Sequence, residues 1–81
     1  MTDTSILDPR PLSSFRKGST VELAFFALPP PEEQRLRDLG LRECQAMQIL
    51  KNDDAVLLRI EESRVAVRLE VAMNIFVGVP E

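Results

Sequence analysis

The chain has 81 residues, of which 44% are hydrophobic and 28% are charged, and its formal net charge is −3. Such a length supports one small domain whose core needs nearly every Leu, Ile, Val and Phe residue. The chain has no His and a single Cys, Cys44, which excludes a catalytic triad, an internal disulfide and a multi-Cys metal site within one chain.

The N-terminal segment, residues 1–11, is polar, contains two Pro residues and lacks any periodicity, so it is predicted to be a flexible tail preceding a domain over residues 12–81. It lacks the basic start and apolar run of a signal peptide. No stretch approaches the ~20 apolar residues of a membrane span. A cytoplasmic protein without direct membrane insertion is therefore expected.

The first half of the domain predicts one strand and one helix. From Thr20 the residues alternate, which places Val21, Leu23 and Phe25 on one face of a half-buried strand. The segment Pro30 to Leu41 is predicted to be a helix, because it begins with Pro, continues with acidic residues and ends at Gly40. Leu41 is expected to fold back onto the last helical turn.

The second half returns to a period of two. Apolar alternation predicts strands over residues 46–51, 56–60, 65–69 and 75–79, with a single helical turn over residues 69–74. Short connections favour a meander of hairpins. The predicted fold is mainly β: a small SH3-like barrel of about five antiparallel strands, with one short helix inserted after the first strand.

Several segments together resemble the FeoA family of small SH3-like domains. The helix end Leu36 to Leu41 has the order Leu-x-x-Leu-Gly-Leu, and a Leu-containing turn ends at Gly18. The strand Ser63 to Arg68 and a turn around Ala72 complete the pattern, which covers about Pro11 to Val79. Two positions depart from the family, because Cys44 and the connection Glu61-Glu62-Ser63 stand where Gly is usual.

The resemblance implies a noncatalytic, cytoplasmic accessory protein of bacterial ferrous iron uptake. Its implied partner is the cytoplasmic GTPase part of a ferrous iron transporter (FeoB-like). The alternative is a stand-alone regulatory domain, related to the C-terminal domain of iron-dependent repressors, that binds protein rather than DNA. The acidic net charge argues against a nucleic-acid partner in either case. An enzyme would need a cofactor or a second subunit to supply the missing base.

Two surfaces are candidates for partner binding. The first surrounds the helix and comprises Leu28, Pro30, Arg35 and Leu41, whereas Leu36 and Leu39 are expected in the core. The second comprises Arg59, Arg64 and Arg68, which fall on alternate positions of adjacent strands. The competing interpretations are a loop packed on its own barrel and a solvated face with cross-strand ion pairs to Glu61 and Glu70.

Metal chemistry has little support in the sequence. The FeoA family carries a general association with transition-metal binding, but this chain offers no iron site of its own, and no cofactor is expected. Cys44 has no His to join it, and Asp53 and Asp54 are better explained as a polar turn. Self-association through an open edge strand is a further hypothesis, with the final strand Ile75 to Val79 as the expected edge.

Overall fold

A single antiparallel sheet of six strands forms the body of the molecule. The computed structural model describes residues 8–79. The strands are β1 (Arg10–Pro11), β2 (Thr20–Phe26), β3 (Ala46–Asn52), β4 (Ala55–Ile60), β5 (Ser63–Arg68) and β6 (Ile75–Gly78). They lie in the order β1-β6-β2-β3-β4-β5. A 3-10 turn (Leu12–Ser14) follows β1, helix α1 (Pro30–Asp38) links β2 to β3, and helix α2 (Leu69–Ala72) links β5 to β6.

The core consists of the inward positions of the strands, as the alternation predicts. The buried strand residues are Val21, Leu23, Met47, Ile49, Val56, Leu58, Ile60, Val65, Val67, Ile75 and Val77. Leu12, Leu36, Leu41 and Ala72 complete this core from the helices and turns. The prediction of a mainly β fold with one short helix after its first long strand, β2, is confirmed, and the sheet has six strands rather than about five.

Helix α1 ends as the sequence predicts. Gly40 adopts a φ of 111°, a left-handed conformation that favours glycine. The amide of Leu41 donates to the carbonyl of Leu36 at 3.1 Å, and that of Gly40 donates to Arg37 at 3.0 Å. This pair of bonds is the Schellman motif, in which the apolar residue after the glycine packs back against the helix. Leu41 is accordingly fully buried.

Strand β2 departs from strict alternation. Its pairing with β6 shifts register between Leu23 and Phe25, as in a β-bulge. The prediction that Phe25 faces the core is therefore wrong: Phe25 is 47% exposed, and Phe26 packs against the core instead. On the outer surface the Phe25 ring stacks on that of Phe76, with centroids 4.9 Å apart.

The sheet edges also differ from expectation. β6 pairs with β1 on one side and β2 on the other, so the prediction that the final strand is an edge is wrong. The edges are β1 and β5. Arg10 and Pro11, expected in the tail, form β1 and make the sixth strand. Residues 1–7 of the predicted tail lie outside the described residues. Across residues 8–79, no helix is long and apolar enough to cross a membrane.

Both positions where the resemblance expects glycine have a left-handed backbone. Cys44 has a φ of 65° and Glu61 a φ of 56°. The amide of Cys44 donates to the carbonyl of Leu23 at 2.9 Å, which ties this turn to the sheet. Left-handed conformations cost L-residues roughly 1–2 kcal/mol, so both turns hold a backbone suited to glycine at some expense of stability.

Substitution at Cys44 tests this strain directly. Cys44→Gly and Cys44→Ala both remove the exposed thiol, but only glycine relieves the left-handed φ. We expect Cys44→Gly to be more stable than Cys44→Ala by about 1 kcal/mol in the free energy of unfolding, measured by urea denaturation. Equal stability of the two variants would show that the backbone at this turn is not strained.

Candidate partner-binding surfaces

The outer side of the β3-β4-β5 meander is positively charged. Arg59 and Arg64 are direct neighbours across β4 and β5, and in the same register Arg68 lies opposite Ala55. Lys51 of β3 joins them, because it pairs with the outward-facing Leu57. None of the three strands contains an acidic residue. We call this surface, formed by Lys51, Arg59, Arg64 and Arg68 around Leu57 and Ala66, the basic face.

The charges of the basic face are not neutralised by neighbouring side chains. In the described part of the chain, the ion pairs are those that Arg37 makes with Glu33 and Glu43. The alternative of cross-strand ion pairs with Glu61 and Glu70 is therefore not observed, although the Arg59 side chain donates to the Glu61 carbonyl at 3.3 Å. Like charges directly opposite one another are unfavourable. The basic face is thus electrostatically suited to an acidic partner.

A groove of about 190 Å³ separates helix α1 from β5 and α2. Its lining residues are Glu32, Arg35, Leu36, Leu39, Ala66, Val67, Arg68 and Val71. Apolar side chains form much of this lining, and Arg35 and Arg68 place cations on it from different elements. We call it the helix groove. Because Arg68 belongs to both surfaces, the helix groove and the basic face are continuous.

The predicted site residues fall into three groups. Arg35, Arg59, Arg64 and Arg68 are exposed and lie on the helix groove or the basic face. Leu28 packs partly against the core, and Pro30 is exposed at the start of α1. Leu41 is fully buried, so its assignment as a partner-binding residue is wrong. Its position is explained by the helix-ending motif, which folds the residue after Gly40 inward.

Sequence reasoning missed Leu39 and Lys51. Leu39 was expected in the core, but it is 49% exposed and lines the helix groove. The sequence does contain a signal for the exposure of Leu39. The helix-ending motif pairs Leu36 with Leu41 in an apolar contact, and Leu39 takes no part in that contact. Lys51 was placed at the end of a strand, and only the β3-β4 register brings it beside Leu57.

Arg37 fixes the chain that follows α1. Its guanidinium contacts the Glu33 carboxylate at 2.9 Å and that of Glu43 at 2.6 Å, and it lies 5.1 Å from the centre of the Phe26 ring. The hydrogen bond from Arg37 lowers the pKa of Glu43 from 4.5 to about 2. The two carboxylates in turn raise the pKa of Arg37, which keeps it charged. This cluster holds the turn after the helix against the helix itself.

The lowered pKa of Glu43 makes the stability of the protein depend on pH. Because its pKa is depressed in the folded state, Glu43 stabilises the protein above pH 4.5, and this contribution disappears as the pH falls towards 2. We expect the stability difference between the wild type and Glu43→Gln to be constant near neutral pH and to shrink in acid, as measured by urea denaturation. In an Arg37→Gln background the same substitution should have little effect at any pH. A pH-independent difference would contradict the assignment.

A surface cavity of about 520 Å³ beside the turn that precedes β2 offers no evident chemistry. It is lined by Ser13, Ser14, Phe15, Arg16, Lys17, Lys51, Asn52 and Asp53. The Asn52 amide is occupied structurally, since it donates to the carbonyls of Ser13 at 3.1 Å and Phe15 at 2.6 Å. Within residues 8–79 no three His, Cys, Asp or Glu side chains are grouped so that they could hold a metal ion.

Comparison with known proteins identifies the family. The sequence matches the model of the FeoA domain over residues 10–79. The chain belongs to the FeoA family. The match begins at β1, in agreement with the pairing of Arg10 and Pro11 in the sheet. No curated protein matches the chain significantly.

Solved structures share this fold. An iron uptake regulatory protein (FeoA) superposes with a TM-score of 0.78 at 21% identity, covering 88% of this chain and 96% of that chain. FeoA from Chlorobium tepidum gives a TM-score of 0.77 at 25% identity, covering 85% of this chain and 69% of that chain. IdeR from T. acidophilum superposes with a TM-score of 0.83 at 18% identity, covering 95% of this chain and 37% of that chain. This FeoA-family chain therefore has an SH3-like fold, which is also found as one part of a manganese-dependent transcriptional repressor.

Proposed function

We propose that the protein is a noncatalytic accessory component of ferrous iron uptake that acts in the cytoplasm by binding the GTPase part of a ferrous iron transporter. Membership of the FeoA family supports the pathway. The continuous surface formed by the basic face and the helix groove supports a binding role, and this is the observation that carries the proposal. It combines exposed apolar area at Leu39 with cations at Arg35 and Arg68.

This surface has the composition of a protein-binding site. Interfaces combine an apolar centre with a polar rim, and Arg is enriched in them relative to Lys. The unpaired arginines of the basic face would accelerate association with an acidic surface and align it. The Leu39 side chain, half exposed in the helix groove, would lose its contact with water in the complex. No residue of the chain is required to make or break a covalent bond.

Regulation of the transporter follows if binding depends on the nucleotide state. A partner shifts an equilibrium only by its difference in affinity for the two states. If the protein binds the GTP-bound and GDP-bound GTPase domains equally, it is a scaffold. If it prefers one of them, it biases the nucleotide-dependent switch towards that state.

The proposal is tested by titrating the isotope-labelled protein with the transporter's GTPase domain, with GDP and with a nonhydrolysable GTP analogue. We expect amide shift changes concentrated on β5 and on residues 35–39. Arg59→Glu and Arg64→Glu should each weaken binding about tenfold by placing like charges at the interface. Arg42→Glu is the matched control, because Arg42 is exposed and belongs to neither surface. Absence of shifts at high micromolar GTPase domain would refute direct docking.

The alternative is a stand-alone regulatory domain that associates with a metal-dependent repressor. The TM-score of 0.83 with IdeR over 95% of this chain favours this second possibility. The net charge of −3 supports a protein contact rather than a DNA contact. A titration with such a repressor, with and without its operator DNA, distinguishes the two partners. Shifts that appear only with the repressor would replace the transporter by the repressor as the partner.

A further inference from the structure

The sheet has one edge that is long enough to accept another strand. Strand β1 has 2 residues and ends with a Pro, which has no N–H to donate to a partner strand. Strand β5 has 6 residues and, within residues 8–79, pairs only with β4. It lies beside the helix groove, to which Ala66, Val67 and Arg68 contribute. β5 is therefore the edge strand that has room for another strand.

Alternate residues of β5 direct their backbone groups away from β4. Ile60 pairs with Ser63 across the turn formed by Glu61 and Glu62, and the pair that flanks such a tight turn is hydrogen-bonded. The alternation of antiparallel pairs then leaves the N–H and C=O groups of Arg64 and Ala66, and the N–H of Arg68, facing outward. The carbonyl of Arg68, which is the N-cap of α2, accepts the first bond of that helix. Within residues 8–79, no turn or loop backbone group bonds to β5.

The positive charge of the basic face determines which kind of strand can pair with the β5 edge. A second copy that added its own β5 would bring another Arg64 and another Arg68 to a face that already holds Arg59. Like charges on neighbouring strands are unfavourable, so self-pairing through this edge is opposed. A strand with carboxylates at alternate positions would instead place them beside Arg64 and Arg68. Its remaining side chains would point to the opposite side of the sheet, the side of Val65 and Val67, of which Val67 also lines the helix groove.

We propose that β5 binds an extended segment of a partner protein in which acidic and aliphatic residues alternate, and that this segment becomes the seventh strand of the sheet. Main-chain hydrogen bonds to Arg64, Ala66 and Arg68 hold the segment. The basic face selects its acidic side, and the apolar side of the sheet that holds Val65 and Val67 selects its aliphatic side. This inference rests on the proposed function only in that the chain acts by binding a protein.

The test uses a short blocked peptide in which Glu alternates with Val, added to the isotope-labelled protein. We expect slowed hydrogen exchange at the amides of Arg64, Ala66 and Arg68, and an affinity that falls with salt. Methylating the peptide nitrogens that face β5 should abolish binding, whereas methylating the alternate nitrogens should not. Arg64→Glu should weaken binding about tenfold, and Arg42→Glu should leave it unchanged.

Three results would overturn the inference. Equal binding of a scrambled peptide without amide protection on β5 would indicate attraction by charge alone. Equal binding of both methylated peptides would exclude strand addition. Concentration-dependent protection of β5 without any peptide would make a second copy the occupant.

Titrations with the peptide and with the GTPase domain distinguish a failure of strand addition from a failure of the proposed function. Peptide binding at β5 with no response to the GTPase domain supports strand addition and refutes the transporter partner. Binding of the GTPase domain, together with no protection of the β5 amides by the peptide, supports the partner and refutes strand addition.

Discussion

Leu41→Ala is expected to lower the free energy of unfolding by about 2–5 kcal/mol, the usual cost of truncating a buried leucine. The Leu41 side chain is fully buried beyond the end of α1, and its amide bonds to the Leu36 carbonyl. Alanine would leave a cavity where the helix meets the core. Urea denaturation monitored by circular dichroism measures the loss. A change below about 1 kcal/mol would show that Leu41 is not a core residue.

Leu39→Ala is the matched control for this prediction. The two leucines flank Gly40, but Leu39 is 49% exposed and lines the helix groove. Its truncation should change stability by about 0.5 kcal/mol or less. Under the proposed function it should weaken binding to the GTPase domain severalfold. The pair therefore separates a residue that stabilises the fold from one available for contact. If Leu39→Ala lowered the stability without weakening binding, Leu39 would be a residue that stabilises the fold and not one that contacts the partner.

Asn52→Ala should lower the free energy of unfolding by about 2–3 kcal/mol, because it removes two hydrogen bonds and leaves carbonyl groups without their partner. The Asn52 amide at the end of β3 donates to the carbonyls of Ser13 and Phe15. It thereby fastens the turn before β2 to the meander. Asn52→Asp should be at least as damaging, since a carboxylate cannot donate to a carbonyl.

Gln45→Ala is the matched control for Asn52→Ala, because it also removes a side-chain amide. The Gln45 side chain donates only to the carbonyl of its neighbour Ala46, at 3.2 Å. Removing it should change stability by about 0.5 kcal/mol or less. Chemical denaturation of both variants, together with the amide spectrum of residues 12–16, measures the effect. If Asn52→Ala and Gln45→Ala are equally stable, the long-range bonds of Asn52 contribute nothing.

The elements of this fold were accessible from the sequence because they depend on local patterns. The alternation from Val56 to Ile60 and the glycine that ends α1 act over a few residues, and both predictions are confirmed. The orientation of Phe25 was not accessible, because a single bulge in β2 reverses the faces of the residues that follow it. Local alternation carries no signal for such a shift.

The candidate site was only partly accessible for the same reason. The proximity of Arg59 and Arg64 follows from one hairpin, so it could be predicted. The approach of Arg35 to Arg68 depends on how α1 packs across the sheet, and residues far apart in the chain decide it. The edge position of β5 likewise depends on where β6 inserts. Local sequence patterns predict the helices and strands, whereas the order of the strands in the sheet determines which surface residues lie side by side.

The insertion of β6 between β1 and β2 has a consequence for biosynthesis. Residues 75–78 complete the middle of a sheet whose neighbouring strands are synthesised much earlier. While the nascent chain lacks this segment, the side of β2 that will bind β6 remains unpaired next to the exposed Phe25. Contacts over such long sequence separations form late and slowly. The domain therefore acquires its native sheet only when β6 has left the ribosome, and until then the side of β2 that will bind β6 is open to aggregation.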